Sequence, residues 1–246
     1  MVSKFIHLES GKSQYVDSNC FNSKFILNQP IHKLRRITLK CMEIPVSFPN
    51  IRENTNTIIF VLNGINYTIS ILEKNYSSIY DILDAINSRL QTYQGITISF
   101  LLNSINKVYV SFTGTFPTTF SIIETNLSKW ILGFRSTDSL IKTGVVSCFY
   151  NASTRFNMNI DNYITVLITN LVNENGHDNQ STFKVSFNAE YNQIFYYNEF
   201  LSYTQFVSNL DYKQVMVDMN IKILDRFGFQ LFSNLDYSMT LLIESD

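Results

Sequence analysis

The sequence contains few of the residues that build metal, disulfide or catalytic sites. Its 246 residues include 3 cysteines, 3 histidines and 1 tryptophan. An odd number of cysteines without a CxxC spacing argues against a disulfide framework or a zinc ribbon and favours free thiols in a reducing compartment. His7, His32 and His177 lie far apart, outside any HxxxH or HExxH spacing. We therefore expect no metal and no cofactor.

The commonest catalytic signatures are also missing. The sequence has no GxSxG, no P-loop and no GxGxxG, which are the usual marks of hydrolases and nucleotide-binding enzymes. Its carboxylates are scattered. A jelly-roll glycosidase would carry a pair of acids on a concave sheet face, and Asp218, with apolar neighbours on either side, leaves that hypothesis open. Solvated carboxylates on an outer face are the favoured interpretation, so we predict a chain that is not an enzyme and assign no catalytic residue.

Neither charge nor long apolar runs are abundant. The formal net charge is −1 and no dense Lys/Arg tract occurs, so a specific nucleic-acid contact is not expected. Lys33, Arg35, Arg36 and Lys40 could contact phosphate or an acidic partner, although the solvent side of a strand is the simpler interpretation. No stretch approaches the roughly 18 apolar residues of a membrane span, and the amino terminus lacks an apolar signal segment. We expect synthesis in the cytosol; the sequence leaves membrane contact open.

The residues that are abundant favour strands. Aromatic side chains make up 14% of the chain, whereas alanine occurs three times, a composition typical of β proteins. Apolar and polar residues alternate along 37–41, 183–187 and 215–223, which predicts half-buried strands. This alternation places Cys41 on an apolar face, as a buried structural cysteine. Asn63-Gly64 predicts a two-residue hairpin turn, because both positions accept positive φ.

Two helices are expected among these strands. Apolar residues at helical spacing predict a helix over residues 79–90, with Ser78 as its N-cap and Asp81 in its first turn. A second, short helix is predicted over residues 127–132, capped by Thr125 or Asn126 and ended by Gly133.

The order of these elements predicts a discontinuous fold. Pro45 and Pro49 end an early strand, because proline cannot donate to a ladder, and residues 51–135 then read as a compact α+β unit. About eight strand candidates lie outside it, the number that a jelly roll needs. We therefore predict a mainly β protein: a single jelly-roll β-sandwich from residues 1–50 and 136–246, with a small α+β domain inserted at 51–135. The first and last strands should share one core.

Two further segments are notable. The aromatic run from Phe195 to Phe206 is denser than one core face requires, and either a protein interface or a strand buried on both faces would explain it. The polar segment 173–180 predicts a mobile loop.

Four blocks of the sequence carry a family resemblance. They are IHKLRRITLKCMEIPVSFPNIR at 31–52, YTISILEKNYSSIYDILDAINSRL at 67–90, LSKWILGF at 127–134 and IKILDRFGFQLFSNLDYSMTLLIE at 221–244. In the spacing of its apolar residues and in the placement of the residues that form turns and end strands or helices, the chain resembles the minor capsid, or penton, proteins of virophages and Polinton-like viruses. These proteins are built on a single jelly roll.

The resemblance implies a structural role in the virion. It would make the chain a vertex subunit, five copies of which close an icosahedral vertex among double jelly-roll major capsid proteins, with the inserted domain projecting from the jelly roll. The partners implied are the chain itself and the major capsid protein, and the location is the capsid. The alternative is a jelly-roll binding module, such as a lectin-like or receptor-binding head.

Overall fold

The computed structural model describes residues 2–16, 18–114, 118–135, 139–142, 147–159, 161–173, 178–199 and 206–246. These residues form two compact units. The first unit combines Met1–Phe48 with Asp161–Asp246, and the second is Pro49–Ile160.

Strands dominate both units, as the composition predicts. In chain order they are β1 (Val2–Glu9), β2 (Gln14–Val16), β3 (Asn19–Pro45), β4 (Thr57–Leu62), β5 (Ile65–Ser70), β6 (Ile96–Leu102), β7 (Val108–Gly114), β8 (Thr118–Ile123), β9 (Ser139–Lys142), β10 (Ser147–Asn151), β11 (Tyr163–Asn173), β12 (Asp178–Ser186), β13 (Ile194–Asn198), β14 (Phe206–Leu224) and β15 (Ser238–Ser245). The helical elements are α1 (Ile79–Asn87), a 3₁₀ turn at Ser10–Lys12 and a π-helical turn at Leu127–Ile131.

The first unit is an eight-stranded jelly roll. Its antiparallel strands follow the order β1-β15-β3-β14-β11-β12, and β2 and β13 also pair with β3. Alternate residues of these strands point inward and form a single apolar core, to which both β1 and β15 contribute. The predictions of a mainly β jelly-roll fold and of a core shared by the first and last strands are confirmed.

The long strand β3 holds this unit together, and two β-bulges interrupt its alternation. Against β15, Lys40 and Arg35 are extra residues, because the pairing steps from Cys41 directly to Leu39 and from Arg36 to Leu34. Each bulge moves the following side chains to the other face of the sheet. The core-facing residues are therefore three positions apart across each bulge and two apart elsewhere. Those that are buried are Leu34, Ile37, Leu39, Met42 and Ile44.

This change of spacing corrects the prediction for Cys41. The residue is only partly buried, because the bulge at Lys40 gives the inward position to Met42 instead. A similar irregularity in β14 turns Val217 outward, although the alternation places it on the apolar face.

The second unit packs two antiparallel sheets around its own core. One sheet has the order β5-β4-β8-β9 and the other β10-β7-β6. Phenylalanine and tyrosine rings fill the space between them, with Phe120 contacting Phe60, Phe112 and Tyr150 at centroid distances of 5.7, 4.6 and 5.2 Å. Such offset and edge-on ring pairs add to the stability that burial provides.

The carboxyl boundary of this unit lies later than the sequence predicts. We expected the chain to return to the jelly roll at residue 136, but the second unit extends to residue 160. The strand candidates near 141–149 become β9 and β10, which pair with β8 and β7. Backbone hydrogen bonds then hold the following segment, from Ala152 N to Val108 O and from Asn157 N to Ile131 O.

The two predicted helices occur at their predicted sites. Helix α1 begins after Ser78 with a complete capping box, in which the Ser78 side chain accepts from Asp81 N and the Asp81 carboxylate accepts from Ser78 N. It ends at Asn87, three residues earlier than predicted. None of the described helices is long and apolar enough to cross a membrane.

The second predicted helix forms as a π-helical turn. Thr125 Oγ1 accepts from Ser128 N at 3.1 Å, whereas the Asn126 side chain makes no cap hydrogen bond. Gly133 follows with φ +86°.

Candidate assembly surface

Strand β1 forms one exposed edge of the jelly roll. It pairs with β15 on one side, and on the other it meets no strand among the described residues. Leu8 is buried, but Phe5 is 64% exposed and Val2 is equally open to solvent. An edge strand with unpaired backbone groups and bare apolar side chains is a typical site of protein association. The sequence analysis did not single out this strand.

A slot opens between β1 and the middle of β3. Its volume is about 670 Å³, and its walls are residues 4–9 on one side and 25–31 on the other, with Lys12 at one end. Leu8 and Phe25 belong to the buried core, and three partly buried side chains pack against that core here: Ile6, Leu27 and Ile31. The slot is therefore a polar-rimmed opening that leads to the apolar interior of the sandwich.

The β3 wall of this slot is also an open edge. On the side of β3 that faces away from β14, β2 pairs as far as Lys24 and β15 pairs from Leu34 onward. Between those points the described residues contain no partner for β3. The pairing with β14 also steps from Ile26 to Ile31. The bypassed stretch includes Pro30, which has no N–H to donate.

The charges around the slot are unevenly balanced. Lys12 Nζ lies 2.6 Å from one Glu9 oxygen and His7 Nε2 lies 3.4 Å from the other. The hydrogen bond from Lys12, followed by its charge, holds the pKa of the Glu9 carboxyl below its usual value. Lys4, on the wall of the slot, is exposed and forms no ion pair in the part of the chain that the structure describes.

The small basic patch predicted on β3 is largely neutralised. Arg35 pairs with Asp246, Arg36 Nη1 lies 3.1 Å from Glu244 Oε2, and Lys40 pairs with Glu199. All three contacts lie within the first unit. Because three of its four cations already have carboxylate partners and only Lys33 is left exposed without a described one, the patch is poorly suited to phosphate.

The carboxylate considered for catalysis is likewise part of a structural link. Asp218 Oδ2 lies 2.7 Å from Lys24 Nζ, and Asp218 Oδ1 accepts from Asn170 Nδ2 at 3.1 Å. The Lys24 hydrogen bond lowers the pKa of Asp218, with a smaller contribution from Asn170. A carboxylate held ionised between two strands is not suited to act as a general acid near neutral pH.

The remaining polar candidates do not converge. His7 bonds Thr240 Oγ1 at 3.0 Å, His32 is exposed, and His177 lies outside the described residues. Among the residues the structure describes, no group of three or more His, Cys, Asp or Glu side chains could hold a metal ion. Cys20 and Cys148 are buried.

The aromatic run begins with a strand exposed on one face. In β13, Phe195 and Tyr197 are buried, whereas Ile194 and Tyr196 are 52% and 63% exposed. The alternative of a strand buried on both faces is therefore wrong, and the interface hypothesis stays a prediction. Phe200, Tyr203 and the side chain of Phe206 lie outside the described residues, as do residues 174–177 of the predicted mobile loop.

The second unit presents an uncharged sheet face. Strands β6, β7 and β10 contain no charged residue. Their outward side chains are Ser, Thr and Asn together with Leu101, which is 39% exposed, around an aromatic pair. Phe149 is 59% exposed, and its ring meets Tyr109 edge-on at 5.6 Å. The sequence analysis did not identify this pair, because only the register of β7 and β10 brings the two rings together.

Comparison with solved structures reveals a similarity in fold. No protein-family model and no curated protein matches the sequence. Among solved structures, the mavirus penton protein, whose crystal structure was determined with selenomethionine, is similar over 99% of this chain and 100% of its own. The identity is 12% and the TM-score is 0.46. The similarity is thus to a penton protein of a virophage, and a TM-score below 0.5 adds no argument about function.

Proposed function

We propose that this protein is a structural subunit of a viral capsid, located at the icosahedral vertices. The observation that carries the proposal is the eight-stranded antiparallel jelly roll with large apolar side chains exposed along β1 and β13. Jelly rolls are a recurrent architecture of capsid proteins, and exposed apolar side chains of this kind mark surfaces that other subunits cover.

The finer proposal is a homopentamer. Five copies would close a vertex as a penton, or minor capsid protein, among double jelly-roll major capsid subunits of a virophage-like particle. A cyclic pentamer requires two different surfaces on each copy, one for each neighbour. The outer face of β13, with Ile194 and Tyr196 exposed, is our candidate for one of them.

Electron microscopy and light scattering test this proposal. The purified chain should form five-fold rings in negatively stained images and give a molar mass five times that of the 28.5 kDa chain. It should also occur in purified virions at a low ratio to the major capsid protein. A chain that stays monomeric at high concentration and is absent from virions would contradict the proposal.

The uncharged face of the second unit favours a second function, glycan binding. Aromatic rings stack on sugar faces, and the surrounding hydroxyl and amide groups suit a neutral polyhydroxyl ligand. Binding on a glycan array, abolished by Phe149→Ala and retained by Ile105→Ala, would support a receptor-binding head. Ile105 is a matched control because it is 57% exposed in the turn between β6 and β7. Absence of any bound glycan would reject this alternative.

A further inference from the structure

We propose that the slot between β1 and β3 receives an extended strand of a neighbouring capsid subunit, apolar at alternate positions and carrying a carboxylate opposite Lys4. The inference rests on the proposed function in taking the donor to be a capsid subunit. The chemistry of the strand itself follows from the slot.

The first argument concerns backbone hydrogen bonds. β1 has eight residues, so about four of them direct N–H and C=O groups away from β15. On the opposite wall, residues 25–31 of β3 have no strand partner on the side away from β14 in the described part of the chain. An extended segment can satisfy an open edge of this kind by adding a strand, as in other cases of β-augmentation.

The second argument concerns the side chains. Ile6, Leu27 and Ile31 are only partly buried against the core, so apolar groups entering the slot would complete their burial. Successive side chains of a strand point to opposite sides. A bound segment would therefore place every second residue in the slot and the others toward solvent, near Phe5.

The third argument concerns charge. Glu9 is already matched by Lys12 at 2.6 Å, whereas Lys4 has no ion-pair partner among the described residues. The slot consequently carries an unmatched positive charge at its β1 wall. A guest with a carboxylate beside Lys4 fits this charge, and a guest with a lysine there does not.

The donor is a subunit of a different protein, and neither this chain nor a second copy of it. β1 and β15 are paired with each other over their full length, and β13 and β14 are paired with β3. The described strands of the jelly roll are therefore already placed in its own sheet. A second copy of this chain as donor is one of the outcomes that the experiment separates.

Two synthetic peptides test the inference on the full chain. Both are fluorescein-labelled dodecapeptides of alternating valine and threonine, one with a central glutamate and the other with a central lysine, and fluorescence anisotropy measures their affinity. We expect the glutamate peptide to bind about 2- to 5-fold more tightly, the range expected of one solvent-exposed ion pair. Lys4→Glu should reverse this preference, and Lys33→Glu, an exposed substitution on β3 outside the slot, should leave it unchanged.

Amide hydrogen exchange supplies the second measurement. The glutamate peptide should slow exchange in residues 2–9 and 25–31 and leave β12, the opposite edge of the sheet, unaffected. Equal binding of both peptides, or protection at β12 instead, would overturn the inference. Protection of residues 2–9 that grows with protein concentration without peptide would also overturn it, because the donor would then be a second copy.

The outcomes remain distinguishable from those of the proposed function. Five-fold rings without peptide binding would reject the strand inference alone. Peptide binding by a chain that never assembles and is absent from virions would reject the vertex role alone.

Discussion

Side-chain contacts link neighbouring strands of the jelly roll where bulges interrupt their backbone pairing. Asn170, in a bulge of β11 with φ +67°, reaches Asp218 on β14, and Lys24 reaches the same carboxylate from β3. One carboxylate thus connects three adjacent strands. The lowered pKa of Asp218 indicates that this connection stabilises the ionised form.

We expect Asp218→Asn to lower the free energy of unfolding by about 0.5–1 kcal/mol at pH 7, the range for partly exposed ion pairs. Because the pKa of Asp218 is lower in the folded state than in the unfolded state, its contribution is complete above about pH 4 and disappears as the pH falls below that value. Urea titrations from pH 2.5 to 7 should therefore show the wild type and the variant converging in acid. A constant difference across this range would contradict the assignment.

Gly133 is required by a close backbone contact in the second unit. An added Cβ would lie 2.4 Å from the Thr154 carbonyl oxygen, and φ is +86°. We expect Gly133→Ala to destabilise the protein by about 2 kcal/mol or more, because backbone strain and steric overlap act together. Gly64→Ala is the control, because φ is +80° but an added Cβ would meet no described atom within 4 Å beyond its chain neighbours. A loss of about 1 kcal/mol is expected. Equal losses in chemical denaturation would disprove the steric argument.

At the scale of elements, α1 depends on its first turn. Ser78→Ala removes one of the two reciprocal hydrogen bonds of the capping box and should cost about 1 kcal/mol. Ser77→Ala alters an exposed neighbour outside the box and should change stability by less than half as much. Thermal and urea denaturation of the two variants measure the difference, and similar losses for both would show that the cap contributes nothing specific.

The elements also show what the sequence could predict. Strand and helix positions follow from local periodicity, so α1 and the hairpin at Asn63-Gly64 were predictable. The sequence could not predict which side chains of β3 face the core, because the bulges at Arg35 and Lys40 depend on the register with β15. The assignment of β10 failed for a related reason: its pattern fits any sheet, and only pairing with β7 places it in the second unit. The edge position of β1, and hence the slot, is a property of the whole sheet.

For the whole molecule, the outer face of β13 offers a test of assembly. If this face lies between neighbouring subunits, Tyr196→Ser should lower the fraction of pentamer measured by light scattering at least tenfold at a fixed concentration, because central aromatic residues dominate interface energies. Tyr80→Ser is the matched control, since Tyr80 on α1 is 62% exposed and Tyr196 is 63% exposed. Equal assembly of both variants would exclude the β13 face from the interface.

The pairing of β1 with β15 also has a consequence for protein engineering. Val2 lies opposite Ser245 in the ladder, so a linker of a few residues could join the two ends of the chain. New ends could then be opened in the solvent-exposed turn at Asn63-Gly64, where insertions are well tolerated. Such a circular permutant would start and finish in the second unit, and β1 would no longer begin at a free chain end.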